Sequence, residues 1–216
     1  MKAIVVAGGD AVPDDAAQLV GAELVLAADS GAAWLAAMGI QPDAVIGDMD
    51  SVDLNLLERL AAKGATIERH RADKDASDAE LAVGRAVGAG ADEVVIIGAL
   101  AGGRLDHELA NLLLLAEPAW RGKGLRIVRG GTTARVLHGG DGLSLGGAVG
   151  DLVTLLPIAG DALGVRTRGL QFPLAGEALR LGRSRGLSNR VQHAPASVSL
   201  DRGTLLVIET QKETNR

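Results

Sequence analysis

Residues 94–115 read VVIIGALAGGRLDHELANLLLL. The β-branched run Val94–Ile97 has the character of a buried parallel strand. Gly98, Gly102 and Gly103 then turn the chain, and Leu105–Leu115 carries leucines at helical spacing. The stretch is a strand, a glycine-rich turn and a helix. The same alternation runs back to the start of the chain. Ala3–Ala7, Leu24–Ala28, Ala44–Ile46 and Leu125–Arg129 are further short strands, and Ala65–Arg69, less apolar, is a strand nearer an edge. Asp14–Val20, Ala32–Met38, Leu54–Lys63 and Asp78–Val87 are the intervening helices. Strands alternating with helices imply a parallel α/β sheet covered on both faces.

After about residue 130 helical periodicity stops. Strand candidates follow one another at Ala134–Leu137, Leu152–Pro157, Val165–Arg168, Ala178–Leu181, Gln192–His193 and Ser197–Ile208. The last is expected to be a hairpin, broken by Asp201-Arg202-Gly203. Glycine-dense Gly139–Gly150 is expected to connect the two parts. The second half should be a small antiparallel sandwich or barrel.

Composition narrows the function. The chain has 216 residues, a net charge of −5 and no cysteine, which excludes disulfide scaffolds and thiolate metal sites. Its length suffices to bury roughly 70% of the unfolded surface without staples. Trp34, Trp120 and Phe172 are its only aromatics, too few for stacking single-stranded nucleic acid. Residues 1–120 carry 20 acidic and 8 basic side chains, whereas residues 121–216 carry 7 and 14. Such asymmetry suggests two units with different partners, and no basic footprint for nucleic acid is expected. Met1–Gly9 is too short an apolar run for a signal peptide, and the apolar stretch around Leu112–Ala116 is far short of a membrane span. A cytoplasmic protein without a membrane partner is expected.

Four segments could carry chemistry. Asp48 and Asp50, in Gly47-Asp48-Met49-Asp50-Ser51, lie two apart after a strand, so an extended chain would aim both carboxylates one way. Two carboxylates 4 Å apart repel by about 4 kcal/mol at an effective dielectric of 20, which a shared proton or a divalent cation relieves. A solvated turn uses the same residues for backbone reasons. In Asp73-Lys74-Asp75-Ala76-Ser77-Asp78-Ala79-Glu80, Ser77 and Glu80 form a capping box, which leaves Asp75 unexplained. Gly98–His107 could present backbone N–H groups to a phosphate, with Arg104 as a clamp, or could be a tight turn with a surface salt bridge. It matches neither a Walker A loop nor a dinucleotide fingerprint. Asp29-Ser30-Gly31, taken alone, is indistinguishable from a helix N-cap. Their shared position shifts the balance. All four fall at the carboxyl edge of the strands, where open α/β sheets bind ligands. That assembly suits a crevice with carboxylates for Mg²⁺ and helix N-termini plus Arg104 for nucleotide phosphates. His70, His107, His138 and His193 lack zinc-ligand spacing, and no serine-hydrolase elbow is present.

These motifs, in this order, resemble the thiamine pyrophosphokinase family. Its Asp-Gly-Gly-Ala-Asn, Gly-Asp-Phe-Asp-Ser, Asp-x-Thr-Asp and Gly-Gly-Arg-x-Asp-His segments are similar to residues 29–33, 47–51, 75–78 and 102–107, with Asn111 one turn on. Gly169-Leu170-Gln171-Phe172 resembles its Gly-Leu-Lys-Trp/Tyr segment, and Ser188-Asn189 its later Ser-Asn pair. Ser30 and Ala33 depart from the pattern, and Phe172 keeps a ring without its polar handle.

The resemblance implies a parallel Rossmann-like α/β domain over residues 1–138 and an antiparallel β-sandwich over residues 139–216. The first would bind nucleotide and carry catalysis; the second would bind thiamine and dimerise. It implies Mg²⁺-dependent transfer of the pyrophosphoryl group of ATP to the thiamine hydroxyl, giving AMP, in a homodimer whose active site lies between subunits. Asp48, Asp50 and Asp78 would hold the metal, and Arg104 would stabilise the transferred phosphates. Asp29, Ser30, Gly31, Asp75, Gly102, Gly103, Asp106 and His107 would serve the nucleotide. Phe172, Ser188 and Asn189 would bind thiamine. The alternatives are pyrophosphoryl transfer to another alcohol such as a hydroxymethyl pterin, a metal-dependent phosphohydrolase, and a non-catalytic nucleotide sensor.

Overall fold

The computed structural model describes residues 1–212. The fold is mixed α/β, with a large sheet and a second, antiparallel sheet. The chain divides into two compact units, Met1–Gly130 and Gly131 onward.

The first unit runs β1 (Lys2–Val6), a 3₁₀ turn (Pro13–Leu19), β2 (Leu24–Ala28), α1 (Gly31–Ala37), β3 (Ala44–Gly47), α2 (Leu54–Ala62), β4 (Thr66–Arg69), α3 (Asp78–Gly88), β5 (Glu93–Ile97), α4 (Leu105–Leu114) and β6 (Arg126–Arg129). Its strands lie in the order β6-β5-β1-β2-β3-β4, every pair parallel. Strand order reverses at β1, so the crevice above the carboxyl ends of β1 and β5 lies at a switch point. The β-branched runs are strands because they are buried on both faces. Ile4, Val6, Val45, Val95 and Ile97 share one core with Ala32 and Leu35 of α1 and Leu56, Leu57 and Leu60 of α2. The alternate residues Ala3, Val5, Leu26, Ile46 and Ile96 are equally buried, and α3 packs on β1, β2 and β3. Side chains set the helix starts: Asp53 accepts the Asn55 N–H at 2.8 Å, and Ser77 Oγ accepts the Glu80 N–H at 3.2 Å. The segment expected as a helix at Asp14–Val20 is the 3₁₀ turn instead. There the fully buried Asp15 carboxylate accepts the Val12 and Gly130 N–H groups, at 2.9 and 2.6 Å.

The second unit contains β7 (Thr132–His138), β8 (Gly142–Leu145), β9 (Leu152–Pro157), β10 (Ala162–Arg168), β11 (Ala175–Leu179), β12 (Asn189–Arg190), β13 (Ala196–Ser199) and β14 (Thr204–Thr210). Strands β7, β14, β9 and β12 are antiparallel neighbours, as are β11, β10, β13 and β8. Leu137, Val153, Leu155, Leu205 and Val207 of the first set share a core with Leu145, Val165, Leu179 and Val198 of the second. Four expectations are corrected. Residues 197–208 are not a hairpin: β13 pairs with β8 and β10, and β14 with β7 and β9. Asp201–Gly203 crosses between the sets, held by Leu163, whose N–H donates to Arg202 O at 2.8 Å. The glycine-dense connection contains β8, because Leu143 and Leu145 sit against the core. Pairing expected at Gln192–His193 falls at Asn189–Arg190 and a bridge from Val191 to Leu170, and the strand placed at Ala178–Leu181 begins at Ala175. No helix among the described residues is long and apolar enough to cross a membrane.

Candidate active site

Because the first sheet is parallel, every strand ends on one edge, and its loops meet there. Between them lies a crevice of about 650 Å³. Gly8 and Gly9 follow β1, Asp29 and Ser30 follow β2, Asp48 and Ser51 follow β3, and Lys74 to Asp78 follow β4. Gly102, Arg104, His107, Glu108 and Asn111 come from the loop after β5 and from α4. Three non-glycine residues at this edge, Asp29, Met49 and Ala101, have left-handed backbone, with φ of 48°, 67° and 60°. Strained backbone of this kind gathers at functional sites.

The carboxylates converge differently from the expected extended pair. Met49 turns left-handed and drops its side chain into the core, 4% exposed. The Asp50 N–H then donates back to Asp48 Oδ1 at 3.1 Å, and Ser51 Oγ donates to Asp50 Oδ1 at 2.7 Å. Asp29 joins them from β2, its N–H donating to Ile46 O of β3 at 2.9 Å. Oxygens of Asp29, Asp48 and Asp50 all lie within 4.8 Å of one another. Asp78, at the start of α3, is paired with Lys74 at 2.9 Å, and Lys74 lies 3.9 Å from Asp48. Asp29 Oδ1 is buried without a hydrogen-bond partner, and Asp78 Oδ1, also buried, has only the Lys74 ammonium beside it. Burial pushes the Asp29 carboxyl up, helped by the charges of Asp78 and Asp48 and opposed by hydrogen bonds from Ser51 and Ser30. The Asp50 N–H holds the Asp48 carboxyl down. An all-oxygen, anionic donor set with an orphaned buried oxygen on Asp29 suits a hard divalent cation. Oxygens gathered within 4.8 Å of one another are near the reach of one octahedral Mg²⁺, whose opposite ligands stand about 4.2 Å apart.

The opposite wall carries the positive charge. Arg104 donates from Nε and Nη2 to both oxygens of Asp106, at 3.0 and 2.7 Å. This fork fixes the guanidinium plane and pushes the Asp106 carboxyl down to about 2. Asn111, buried at the base, donates from Nδ2 to Ala99 O at 2.9 Å and ties α4 to the loop after β5. A Cβ on Gly102 would stand 2.9 Å from Gly9 Cα, so the loops after β1 and β5 touch backbone to backbone. Gly31 does not line the crevice; a Cβ there would lie 2.0 Å from Val6 O, so it lets α1 approach β1. Gly103, Asp106 and Asp50 are exposed at the rim. Gly8, Gly9, Lys74 and Glu108 line the crevice although sequence reasoning gave them no part. The Gly8-Gly9 pair at the end of the first strand was the available signal.

Phe172, Ser188 and Asn189 lie in the second unit. Phe172 is 64% exposed, which removes it from the core. Asn189 is buried and grips the backbone beside that ring: its Oδ1 accepts the Phe172 N–H at 3.0 Å, and its Nδ2 donates to Phe172 O at 2.8 Å. Ser188 is left-handed, with φ of 55°, and its N–H donates to Thr154 Oγ1 at 3.1 Å.

A parallel α/β unit whose strands end on carboxylates around an open crevice defines an enzyme of the α/β class. The model of the thiamin pyrophosphokinase catalytic domain matches residues 17–128, and that of the thiamin pyrophosphokinase vitamin B1 binding domain matches residues 144–205. A thiamine pyrophosphokinase of Bacillus subtilis is 26% identical over 213 residues, covering 97% of this chain and 99% of its own. A crystal structure of thiamine pyrophosphokinase from Bacillus subtilis superposes with a TM-score of 0.86 at 24% identity, over 99% of this chain and 100% of that one. A thiamin pyrophosphokinase family protein from Enterococcus faecalis gives 0.84 at 24% identity, over 99% and 100%. The chain therefore belongs to the thiamin pyrophosphokinase family, which transfers pyrophosphate from ATP to thiamine.

Proposed function

We propose that this chain transfers the β,γ-pyrophosphoryl group of ATP to the hydroxyl of thiamine in a Mg²⁺-dependent reaction, releasing AMP. The observation that carries the metal part of the proposal is the convergence of carboxylates from β2 and β3 at one edge of the sheet. Asp48, Asp50 and Asp78 hold Mg²⁺, with Asp29 as a further carboxylate beside them. When bound, the cation neutralises the phosphates and the charge that develops on them. Arg104, braced by Asp106, directs its remaining N–H groups at the transferred phosphates. Asp29, Ser30, Gly31, Asp75, Gly102, Gly103 and His107 shape and support the nucleotide pocket. Phe172 stacks on a thiamine ring, with Ser188 and Asn189 setting the segment around it.

The unit Met1–Gly130 serves as a Rossmann-like nucleotide domain and the unit from Gly131 onward as a β-sandwich that binds thiamine; the expected boundary at 138/139 moves because β7 pairs with β14. The protein works as a cytoplasmic homodimer, with the site completed by the partner subunit. Two features support this. Leu105, Leu109 and Leu113 form an exposed stripe along α4 beside the crevice, 78%, 53% and 45% exposed. The acidic first half and basic second half are complementary in charge. Purified protein incubated with Mg-ATP, with and without thiamine, tests the proposal. Thiamine-dependent AMP and thiamine diphosphate support it. Phosphate release independent of thiamine, or nucleotide binding without turnover, overturns it.

A further inference from the structure

The acidic side of the crevice already contains a cation of its own. Lys74 Nζ stands 2.9 Å from Asp78 Oδ1 and 3.9 Å from Asp48 Oδ2, and 17% of its side chain is exposed. Ser77 explains the start of α3 without it, since Ser77 Oγ caps the Glu80 N–H. Asp78 Oδ1 is buried and accepts no hydrogen bond, so the ammonium beside it is what offsets its charge. Lys74 and Asp78 are four residues apart, and Asp48 comes from a different strand. The contact therefore draws the segment after β4 onto the loop after β3.

A divalent cation held by both Asp48 and Asp78 would compete with the ammonium that lies beside an oxygen of each. Mg²⁺ binds oxygen at about 2.0–2.1 Å, which crowds an ammonium held against the same oxygen. Two positive centres in one cluster also repel. A lysine, with its flexible four-carbon stem, can move its charge without moving backbone. Lys74 lines the crevice, so a ligand's phosphates in that space would lie within reach of its stem.

We propose that Lys74 is an internal counter-ion that competes with the divalent cation for Asp48 and Asp78. Its displacement toward the phosphates makes cation binding and nucleotide binding mutually reinforcing. This rests on the carboxylate cation site proposed above. Without nucleotide, the cation must evict Lys74 from both of its carboxylate partners with no phosphate to receive it. With nucleotide, both positive charges have partners.

The test is Mn²⁺ binding to the full-length protein, read from the free Mn²⁺ electron paramagnetic resonance signal. It is run with and without α,β-methylene-ATP, whose α–β bridge cannot be cleaved by pyrophosphoryl transfer. Lys74→Met is expected to tighten Mn²⁺ binding to nucleotide-free protein by about tenfold, the equivalent of one partly exposed ion pair. It is also expected to shrink the further gain produced by the nucleotide analogue. Lys74→Arg, which keeps the charge, should stay near wild type. Lys74→Gln should repeat the tightening if Lys74→Met does not fold, and misfolding cannot itself produce tighter binding. Equal or weaker Mn²⁺ binding in both neutral variants, with wild type binding Mn²⁺, overturns the role of Lys74 and leaves the cation site standing. No Mn²⁺ binding by wild type, or binding indifferent to Asp48→Asn, overturns the cation site and the role of Lys74 together.

Discussion

Asn189→Ala should loosen Phe172 without touching its ring. The ring is 64% exposed, so packing does not fix it; the backbone does. That backbone is held at both polar atoms by the buried Asn189 amide, at 3.0 and 2.8 Å, and a third bond joins the Arg190 N–H to Oδ1 at 2.9 Å. The two bonds to Phe172 contribute about 1 kcal/mol each, and the local one to the adjacent residue adds less. The expected loss is about 2–3 kcal/mol, or roughly 5–10 °C in the unfolding temperature of a chain this size. Steady-state kinetics should show a KM for thiamine raised roughly five- to tenfold, the value of one aromatic contact, with KM for ATP nearly unchanged. Asn189→Asp keeps the acceptor and loses the donor, so it should fall between. Differential scanning fluorimetry and thiamine titrations check both. An Asn189→Ala protein with wild-type melting and wild-type KM would refute the clamp. A lowered melting temperature with unchanged KM for thiamine would refute its link to substrate.

Other outcomes follow from the same contacts. Phe172→Ala should raise KM for thiamine while shifting the melting temperature by no more than about 2 °C, since an exposed side chain is removed; thiamine titration and fluorimetry read both. Asp29→Asn should stabilise the metal-free protein at pH 7 while lowering turnover. Its carboxyl is pushed up on folding, so its contribution is fully present below the unfolded value of about 4 and is lost as pH rises through the folded one; denaturant melts against pH should flatten there in the variant. Asp106→Asn should cut kcat by at least about tenfold through loss of the Arg104 fork. Unfolding should scarcely change, because the pair is exposed. With Asp106 held down to about 2, the wild-type rate profile should show no limb from this residue above pH 4.

The parallel unit was largely legible because its strands are buried on both faces and so carry continuous β-branched runs, such as Val94–Ile97. The gathering of Asp29, Asp48, Asp78 and Arg104 followed from that topology alone, since parallel strands deliver their loops to one edge. The means of convergence was hidden. Nothing in Gly-Asp-Met-Asp-Ser announces that Met49 is left-handed, and the apolar core that accepts its side chain forms from distant elements. Lys74 was equally hidden, because one of its partners, Asp48, comes from another strand. In the second unit the strands themselves were mostly visible, but their partners were not. The segment around Asp201-Arg202-Gly203 has the local chemistry of a hairpin turn; contacts with Leu163, some forty residues away in sequence, send its two flanks to different sheets.

The fate of the ATP phosphates decides which bond is broken and what receives the fragment. Protein supplied with Mg²⁺, thiamine and ATP labelled at either the γ- or the α-phosphate tests it directly. The γ label should appear in thiamine diphosphate and the α label in AMP, in equal amounts and only when thiamine is present. The γ label in free phosphate or in thiamine monophosphate, with the α label in ADP, would contradict it.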